Sequence, residues 1–385
     1  MTGGIAEYLH NLWNDVGRFH LVTVMTPIQS LGSIWDHSYR LEVLLSVPER
    51  RLGDRFGDKL LPLRKLNTAK YFFELSRDAK RTLKRVQETC GSNAEVFVGV
   101  WDPVSHFWCR EMRRAGIPYS LYVYGLEVVM RRYGLPQWRR EDFRSAKEIL
   151  AISKGTAELV RARFGTDIPV SVVNPGVTLF PHEGDFEERT SRLRKELDLP
   201  GSNILLTVAR LVPRKGVDLV IRSVAGLASE FPDLTYIVAG NGPARDHLQS
   251  LTRQLGMEGR VRFLGEVDEV TKWSLYKLCD VFVLPNRLVG GANWEGFGVV
   301  FLEAAVSGKP SIGGKNGGVP DAIDDGFTGL LVDPEDDEDL SLSLRRLLRD
   351  HELRLRMGEA AKERATSRFA WDVIGAAFRA QRGWA

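Results

Sequence analysis

Residues 295–310, with the sequence EGFGVVFLEAAVSGKP, decide how the fold of this chain is interpreted. The apolar run at 281–285 predicts a short buried parallel strand, and Gly296 and Gly298 lead into a periodic helical segment at 299–307. Glycines let the backbone approach a ligand closely, and the free N–H groups at a helix start favour a phosphate. The stretch therefore predicts a strand, a glycine turn and a helix that together cradle an anion.

Two glutamates, Glu295 and Glu303, lie eight positions apart in this stretch. Along a helix that separation would span about 12 Å, whereas the paired carboxyl groups of a retaining glycosidase stand about 5 Å apart. The two carboxylates are therefore expected to hold different parts of one elongated ligand. Glu303 lies on an apolar helix and needs hydrogen-bond partners, which either ribose hydroxyls or a salt bridge would supply. Glu295 would face a sugar or cap a loop.

Two cations, Arg210 and Lys215, follow the predicted strand at 204–208. Ligands bind at the carboxyl ends of the strands in open α/β sheets, and two cations can neutralise a diphosphate leaving group. A solvated basic pair in a loop is the simpler alternative.

Together with these residues, two glycine-rich segments complete a pattern that resembles the retaining nucleotide-sugar glycosyltransferases of family 4. The pattern consists of Val208-Ala209-Arg210 through Lys215-Gly216, Gly240-Asn241-Gly242-Pro243, Glu295-x7-Glu303 and Gly317-Gly318-Val319-Pro320. Residues 293–323 are most similar to the phosphatidylinositol mannosyltransferase-like branch. The resemblance is strong over 204–333 and weaker, though continuous, over 3–177.

This resemblance implies an α/β protein of the GT-B fold, in which two Rossmann-like domains face a cleft and the last helix crosses back to the first domain. It implies that Arg210 and Lys215 stabilise the departing diphosphate and that Glu295 positions the sugar. The other donor contacts that it implies are Gly4, Tyr124, Gly242, Val267, Phe297, Gly298, Val299 and Glu303. No metal and no cofactor are expected beside the donor, a nucleotide-diphospho-sugar such as a GDP- or UDP-sugar.

The implied activity is transfer of a hexose, with retention of configuration, to a hydroxyl of a lipid, glycan or small-molecule acceptor. A phosphorylase or an epimerase built on the same fold is an alternative. A third reading is an inactive subunit that binds sugar nucleotides, because Tyr124 stands where the family usually has a histidine. His106 is a further candidate to approach the site from another loop, and a structural role is the alternative for it.

Apolar runs alternate with amphipathic stretches along the chain, which favours parallel sheets with crossover helices. Strands are predicted at 21–25, 41–46, 96–101, 119–123, 149–152, 170–173, 204–208, 235–239, 261–264, 281–284, 310–312 and 329–332. A turn at 174–177 and a polar stretch at 182–194 suggest a hinge. With the returning helix, the first domain is expected to comprise residues 1–178 and 368–385 and to bind the acceptor. The second is expected to comprise residues 183–367 and to bind the nucleotide sugar.

Composition is typical of a soluble globular protein, with 43% hydrophobic and 27% charged residues among 385. The cysteines, Cys90, Cys109 and Cys279, form no CxxC pair, so reduced buried thiols are expected rather than a disulfide framework or a zinc site. No apolar run approaches the roughly 20 residues that span a bilayer. A cytoplasmic protein, or one bound peripherally to the cytosolic face of a membrane, is expected.

Charge is distributed unevenly, because residues 1–180 hold 26 Lys/Arg against 19 Asp/Glu, whereas residues 181–385 hold 27 against 31. The basic half includes an arginine- and aromatic-rich stretch at 131–144. Such a stretch could contact an anionic membrane or an anionic acceptor, or could simply be solvated. No nucleic-acid motif accompanies it, so nucleic acid is not an expected partner.

The start of the chain carries one further expectation. The glycine loop Gly3-Gly4 follows only two residues, whereas in the family a strand precedes that loop. In a doubly wound sheet the first strand is central. The chain as given is therefore expected to lack a central strand of its first domain.

Overall fold

The computed structural model describes residues 8–9, 11–12, 22–26, 41–46, 76–77, 79–84, 86–88, 95–101, 103–129, 136–178, 186–199, 203–289 and 295–384. The chain forms two compact units. The first comprises residues 1–151, 157–173 and 375–385, and the second comprises residues 152–156 and 174–374.

Parallel strands organise the first unit. Its strands are β1 (Val22–Thr26), β2 (Leu41–Ser46), β3 (Val96–Val98), β4 (Tyr119–Val123), β5 (Glu148–Ala151) and β6 (Val170–Val172). In the described residues, β1 pairs only with β2, while β3, β4, β5 and β6 form a four-stranded parallel sheet in that order. The predicted absence of a first strand concerns residues 1–7, which lie outside the described residues, so it stays a prediction.

Helices cover the sheet of the first unit because their apolar faces pack on the buried strands. They are α1 (Pro103–Ala115), α2 (Leu126–Val129), α3 (Pro136–Ser145) and α4 (Lys154–Phe164). The core includes Trp101, Met112, Leu121, Phe143 and Ile149, all nearly inaccessible to solvent.

The end of the chain belongs to the first unit. Phe378 and Trp384 pack against Phe97 on β3, with ring centroids 6.1 and 6.2 Å away. Arg382 lies 3.8 Å above the Phe378 ring and pairs with Glu148 of β5 at 2.5 Å. The predicted return of the last helix to the first domain is therefore confirmed.

A six-stranded parallel sheet organises the second unit. Its strands are β7 (Ile204–Val208), β8 (Thr235–Ala239), β9 (Val261–Gly265), β10 (Val281–Leu284), β11 (Ser311–Gly314) and β12 (Gly329–Val332). Their spatial order is β12-β11-β10-β7-β8-β9. All twelve predicted strands are thus present, with ends shifted by a few residues at most.

The helices of the second unit flank this sheet. They are α5 (Phe186–Glu196), α6 (Val217–Leu227), α7 (Arg245–Gln254), α8 (Glu269–Leu278), α9 (Val299–Val306), α10 (Val319–Ala322), α11 (Asp337–Arg349) and α12 (His351–Arg368). Helix α13 (Trp371–Gln381) follows and runs into the first unit. The core packs Val220 and Leu344 from the helices against Leu205, Val238 and Val283 from the strands.

Cys109 and Cys279 are free and buried, as the sequence predicts, and Cys90 lies outside the described residues. Among the helices that the structure describes, none combines the length and the apolar character needed to cross a bilayer.

Candidate functional site

Strand order places the candidate site. The chain runs from β7 outward through β8 to β9, then returns to β10 on the other side of β7, so the order reverses between these two neighbours. Loops that leave the carboxyl ends of strands at such a reversal separate and open a crevice. The loops after β7 and β10 hold Lys215 and Glu295, respectively.

Backbone geometry shapes the loop after β7. Residues Pro213–Lys215 form a single 3-10 turn that ends at Gly216, whose φ of 68° is in the left-handed region. A Cβ at Gly216 would collide with the carbonyl oxygen of Pro285, which follows β10. Arg287 ties the same two loops together, because its backbone N–H donates to the Arg214 carbonyl at 2.9 Å and its guanidinium holds Asp218 at 2.8 Å.

Three donors converge on one oxygen of Glu295. Its Oε2 accepts from Arg214 at 2.5 Å, from Lys215 Nζ at 2.6 Å and from the Asn286 side-chain amide at 2.8 Å. The side chains of Lys215 and Glu295 are only 11% and 12% exposed, so water screens this pair weakly. We name these four residues the Glu295 cluster.

Electrostatics keep Glu295 ionised. Burial by itself raises the pKa of the Glu295 carboxyl, but the charges of Lys215 and Arg214 and their hydrogen bonds outweigh it and hold the pKa below its usual value. Two cations and one carboxylate leave one excess positive charge in the cluster. This arrangement suits an anionic ligand group.

Helix α9 starts directly beside this cluster. Gly298 precedes it with a φ of 89°, and no side chain caps the helix start, so the first N–H groups can serve a ligand. Phe297 is buried, and Val299 is the first helical residue. The Glu295 carbonyl accepts from the N–H of Gly318 at 2.9 Å. The predicted strand, glycine turn and helix are therefore present.

Glu303 points from α9 toward α8. Its Oε1 accepts from Lys272 Nζ at 2.8 Å, and its Oε2 accepts from the Tyr276 hydroxyl at 2.7 Å. The salt bridge that the sequence left open as an alternative for this residue is therefore present.

Three other predicted donor-site residues lie at the ends of neighbouring strands of the same sheet. Arg210 is exposed and pairs with no carboxylate among the described residues. Gly242 packs so closely on the Leu211 backbone that a Cβ would lie 2.8 Å from the Leu211 nitrogen. Val267 is half-buried, just after β9. Within the described part of the chain, none of the three forms a hydrogen bond or ion pair with the Glu295 cluster.

Tyr124 lies in the first unit, just after β4. It is 7% exposed, and its hydroxyl has no hydrogen-bond partner among the described residues. Its backbone N–H donates to the buried carboxylate of Glu127 at 3.1 Å. Burial raises the pKa of Glu127, although the backbone N–H groups around it act in the opposite direction. Gly4 lies outside the described residues.

His106 has a structural environment. Its Nδ1 lies 2.8 Å from Asp142 Oδ2, which also accepts from Trp101 Nε1 at 2.9 Å. Arg113 pairs with the other oxygen of Asp142 at 2.5 Å, and Trp138 stacks on the imidazole ring at 4.4 Å. The imidazole therefore hydrogen-bonds a buried carboxylate in the core of the first unit.

Part of the basic and aromatic stretch turns inward. Arg139 is buried and donates to the Glu127 carbonyl at 2.9 Å, and Arg144 donates to the Phe164 carbonyl at 3.2 Å. Phe143 is fully buried, whereas Arg140 and Trp138 are exposed. Fewer cations of this stretch are thus available to a surface partner than the sequence suggests. Residues 131–135 lie outside the described residues.

Sequence reasoning missed four residues that hold the two glutamates: Arg214, Asn286, Lys272 and Tyr276. Arg214 is adjacent to Lys215, and Asn286 follows the strand β10 by two positions, so proximity to a predicted site was a usable signal. Lys272 and Tyr276 are four residues apart and thus share a helix face, but the sequence does not show that this face meets α9.

Comparisons with known proteins identify similar glycosyltransferases. Residues 189–364 match the family described as "Glycosyl transferases group 1". A GDP-mannose-dependent alpha-(1-6)-phosphatidylinositol monomannoside mannosyltransferase of Mycolicibacterium smegmatis is 31% identical over 60% of each chain. A D-inositol 3-phosphate glycosyltransferase of Corynebacterium glutamicum is 36% identical over 54% of this chain and 50% of the relative. The chain thus aligns with about half to three-fifths of the length of these relatives.

Solved structures resemble the chain over nearly its whole length. Anabaena Alr3699/HepE in complex with UDP and glucose superposes with a TM-score of 0.72 at 20% identity, covering 100% of this chain and 96% of the other. WaaG, a glycosyltransferase involved in lipopolysaccharide biosynthesis, gives 0.65 at 18%, covering 98% and 96%. These likenesses confirm the predicted GT-B fold, and the curated relatives confirm the resemblance to the phosphatidylinositol mannosyltransferase-like branch. The chain therefore has the GT-B fold, and its residues 189–364 match the glycosyl transferases group 1 family.

Proposed function

We propose that this chain is a retaining glycosyltransferase that moves a hexose from a nucleotide-diphospho-sugar to an acceptor hydroxyl. The observation that carries the proposal is the Glu295 cluster, in which Arg214, Lys215 and Asn286 hold one carboxylate beside the start of α9. Its excess positive charge and the uncapped helix start suit the two anionic phosphates of such a donor.

Each residue has a proposed role. Lys215 and Arg210 stabilise the negative charge that develops on the departing diphosphate. Glu295, with the amides from Phe297 to Val299, positions the sugar, and Glu303 holds the ribose. Arg214 and Asn286 keep Glu295 ionised and oriented, because they share its Oε2 with Lys215.

The proposed reaction needs no nucleophilic carboxylate. The acceptor hydroxyl oxygen attacks the anomeric carbon on the face from which the diphosphate leaves. The glycosidic C–O bond forms as the C–O bond to phosphate breaks, and the hydroxyl proton passes to the departing phosphate oxygen. Cations around that phosphate act where charge develops, which is where stabilisation accelerates a reaction most.

The relatives suggest a first donor and two acceptors. One relative is named as GDP-mannose-dependent and acts on a phosphatidylinositol monomannoside, and another is named for D-inositol 3-phosphate. We therefore infer a GDP- or UDP-sugar as donor, with GDP-mannose to be tested first. Acceptors that carry an inositol group come first for the same reason.

The first domain, which we take as 1–178 with 368–385, would bind the acceptor, and 183–367 would bind the donor. The net positive charge of the basic half suits contact with an anionic membrane that carries a lipid acceptor. Such contact would be peripheral and would lie on the cytosolic face. Tyr124, whose hydroxyl has no hydrogen-bond partner among the described residues, would donate to a sugar hydroxyl.

A direct test combines binding and turnover. The purified chain is screened by thermal shift against GDP, UDP and ADP and their sugars, because a ligand at 100 times its dissociation constant stabilises by about 2.7 kcal/mol. It is then incubated with the stabilising donor and an inositol-containing acceptor. Formation of a glycosylated acceptor supports the proposal. Product that forms only with orthophosphate would indicate a phosphorylase, and product that forms without any acceptor would indicate an epimerase. Binding of the donor without any product would indicate an inactive subunit.

A further inference from the structure

Both carboxylate oxygens of Glu303 already have one protein donor each. Lys272 Nζ lies 2.8 Å from Oε1, and the Tyr276 hydroxyl lies 2.7 Å from Oε2. The two donors come from the same face of α8, whereas Glu303 comes from α9. The carboxylate is therefore held at two points by one neighbouring helix, which fixes the plane of the group as well as its position.

The two donors keep their protons across the working pH range. Burial lowers the pKa of Lys272, but Glu303 and Glu269 outweigh it and raise the pKa above its usual value. Glu269 lies 2.8 Å from the same ammonium group and is largely exposed. Burial, and then the charge of Glu303, raise the pKa of Tyr276 well above its usual range. Tyr276 is completely buried, so no water competes for its hydroxyl.

Among the described residues, the acceptor capacity of Glu303 is only half used. A carboxylate offers about four lone-pair directions, two on each oxygen. Lys272 and Tyr276 each take one, so one direction on each oxygen has no donor within the described part of the chain. The Glu303 side chain is 15% exposed, so a ligand can reach these directions. Two adjacent acceptors in one fixed plane match two neighbouring hydroxyl groups, as on the cis diol of a ribose.

We propose that Lys272 and Tyr276 are positioning residues that orient Glu303 so that its two oxygens receive the vicinal hydroxyls of the donor's ribose together. This inference rests on the proposed function, because it takes the ligand to be a nucleotide. Neither residue touches the ligand. They hold the carboxylate in its binding orientation before the ligand arrives, so binding does not carry the entropy cost of ordering this side chain. The chain would then select ribonucleotides over deoxyribonucleotides with the help of two residues that do not contact the ligand themselves.

Tyr276→Phe removes one point of attachment and leaves the ring in place. The probes are GDP and UDP, each against its 2′-deoxy form, titrated into the full chain by isothermal calorimetry. We expect the wild type to prefer the ribonucleotide by at least about tenfold, the range of one hydrogen bond to a charged group. In Tyr276→Phe the ribonucleotide affinity should fall by about tenfold and the deoxynucleotide affinity by less than about threefold, so that the preference nearly disappears.

Tyr236→Phe is the matched control, because Tyr236 is equally buried but its hydroxyl bonds Thr207, at 2.7 Å, rather than Glu303. It should keep the wild-type preference. Lys272→Met, which keeps an unbranched apolar stem, tests the other attachment and decides the question if Tyr276→Phe does not fold. In turnover, Tyr276→Phe should raise KM for the donor with little change in kcat, as expected when binding is lost equally in the ground and transition states.

The outcomes separate the two proposals. Two results overturn the positioning role and leave the proposed function intact. In the first, the wild type binds GDP or UDP but does not prefer the ribonucleotide. In the second, the preference survives in folded Tyr276→Phe and Lys272→Met. An equal loss of ribo- and deoxyribonucleotide binding in the variants also overturns it, because it indicates a general structural defect. If neither GDP nor UDP binds the wild type, the nucleotide-donor function itself fails, and this inference fails with it.

Discussion

Removal of the Lys215 ammonium group is the most informative single perturbation. Its Nζ lies 2.6 Å from Glu295, and its side chain is 11% exposed. In the proposed reaction this charge acts on the departing diphosphate. We expect Lys215→Ala to lower kcat by on the order of 100-fold or more, about 2.7 kcal/mol, as the loss of a preorganised charge-stabilising donor typically does.

Stability should change much less than activity in this variant. Glu295 retains Arg214 at 2.5 Å and Asn286 at 2.8 Å, so the carboxylate is not left buried and unpaired. The cost to folding should therefore stay near 1–2 kcal/mol rather than the 3–5 kcal/mol typical of a buried pair that loses its only partner. Lys215→Met, which keeps the apolar stem, separates the lost charge from lost packing.

Steady-state kinetics with the identified donor, together with thermal unfolding, measure both effects. Lys277→Ala is the matched control, since Lys277 also pairs with a glutamate in the same unit, at 3.4 Å from Glu187, but is 49% exposed. Such surface pairs contribute about 0–1 kcal/mol to stability, so its activity should remain within about twofold of wild type. Unchanged turnover in folded Lys215→Ala and Lys215→Met would refute the leaving-group role.

Four further results are expected. Activity should survive EDTA, because Lys215 and Arg210 supply positive charge for the diphosphate; a strict need for added Mn²⁺ or Mg²⁺ would contradict this. NMR coupling constants of the first-formed product should show the donor's anomeric configuration retained, and inversion would rule out the family 4 mechanism. The pKa of Glu295 is lowered in the folded state, so its ionised carboxylate stabilises the fold above the ordinary glutamate pKa of about 4.3, and this contribution is lost as pH falls through the lower folded value. The difference in stability between wild type and Glu295→Gln should therefore shrink below about pH 4. A difference independent of pH would argue against an ionised pair. Gly298→Ala should lose about 1–3 kcal/mol of stability, since the φ of Gly298 is 89° and a Cβ there would lie 2.7 Å from the Phe301 ring. The control Gly259→Ala, where a Cβ meets open space, should be nearly neutral in thermal unfolding. Equal effects of the two changes would contradict the strained turn.

The strands could be predicted from sequence because buried parallel strands are short, uniformly apolar and bounded by turn residues. Val281–Leu284 is buried at all four positions, as such a strand requires. The turn at Gly298 was predictable for a related reason, since few residues other than glycine adopt a φ of 89°.

The partners of the two glutamates could not be predicted in the same way. Sequence spacing indicated Lys215 as a site cation but gave no reason to prefer Arg210 over Arg214, because either could follow a strand end. In the structure Arg214 turns toward Glu295, whereas Arg210 is exposed. Tyr276 looked like an ordinary core residue of an amphipathic helix, since periodicity identifies the buried face but not the polar group that it meets.

Long sequence separation within the candidate site has a consequence for how this unit folds. The contact of Lys215 with Glu295 joins residues 80 positions apart, and Glu303 reaches Lys272 and Tyr276 across 31 and 27 positions. Such contacts form late, because the loop-closure entropy is lost before they can compensate for it. Lys215 and Arg214 reach Glu295 only when β7 and β10 have paired, so a partly folded unit lacks the assembled Glu295 cluster. A bound nucleotide should consequently slow unfolding while leaving the folding rate nearly unchanged, and it should protect the whole second unit, rather than only the nearest loops, from proteolysis.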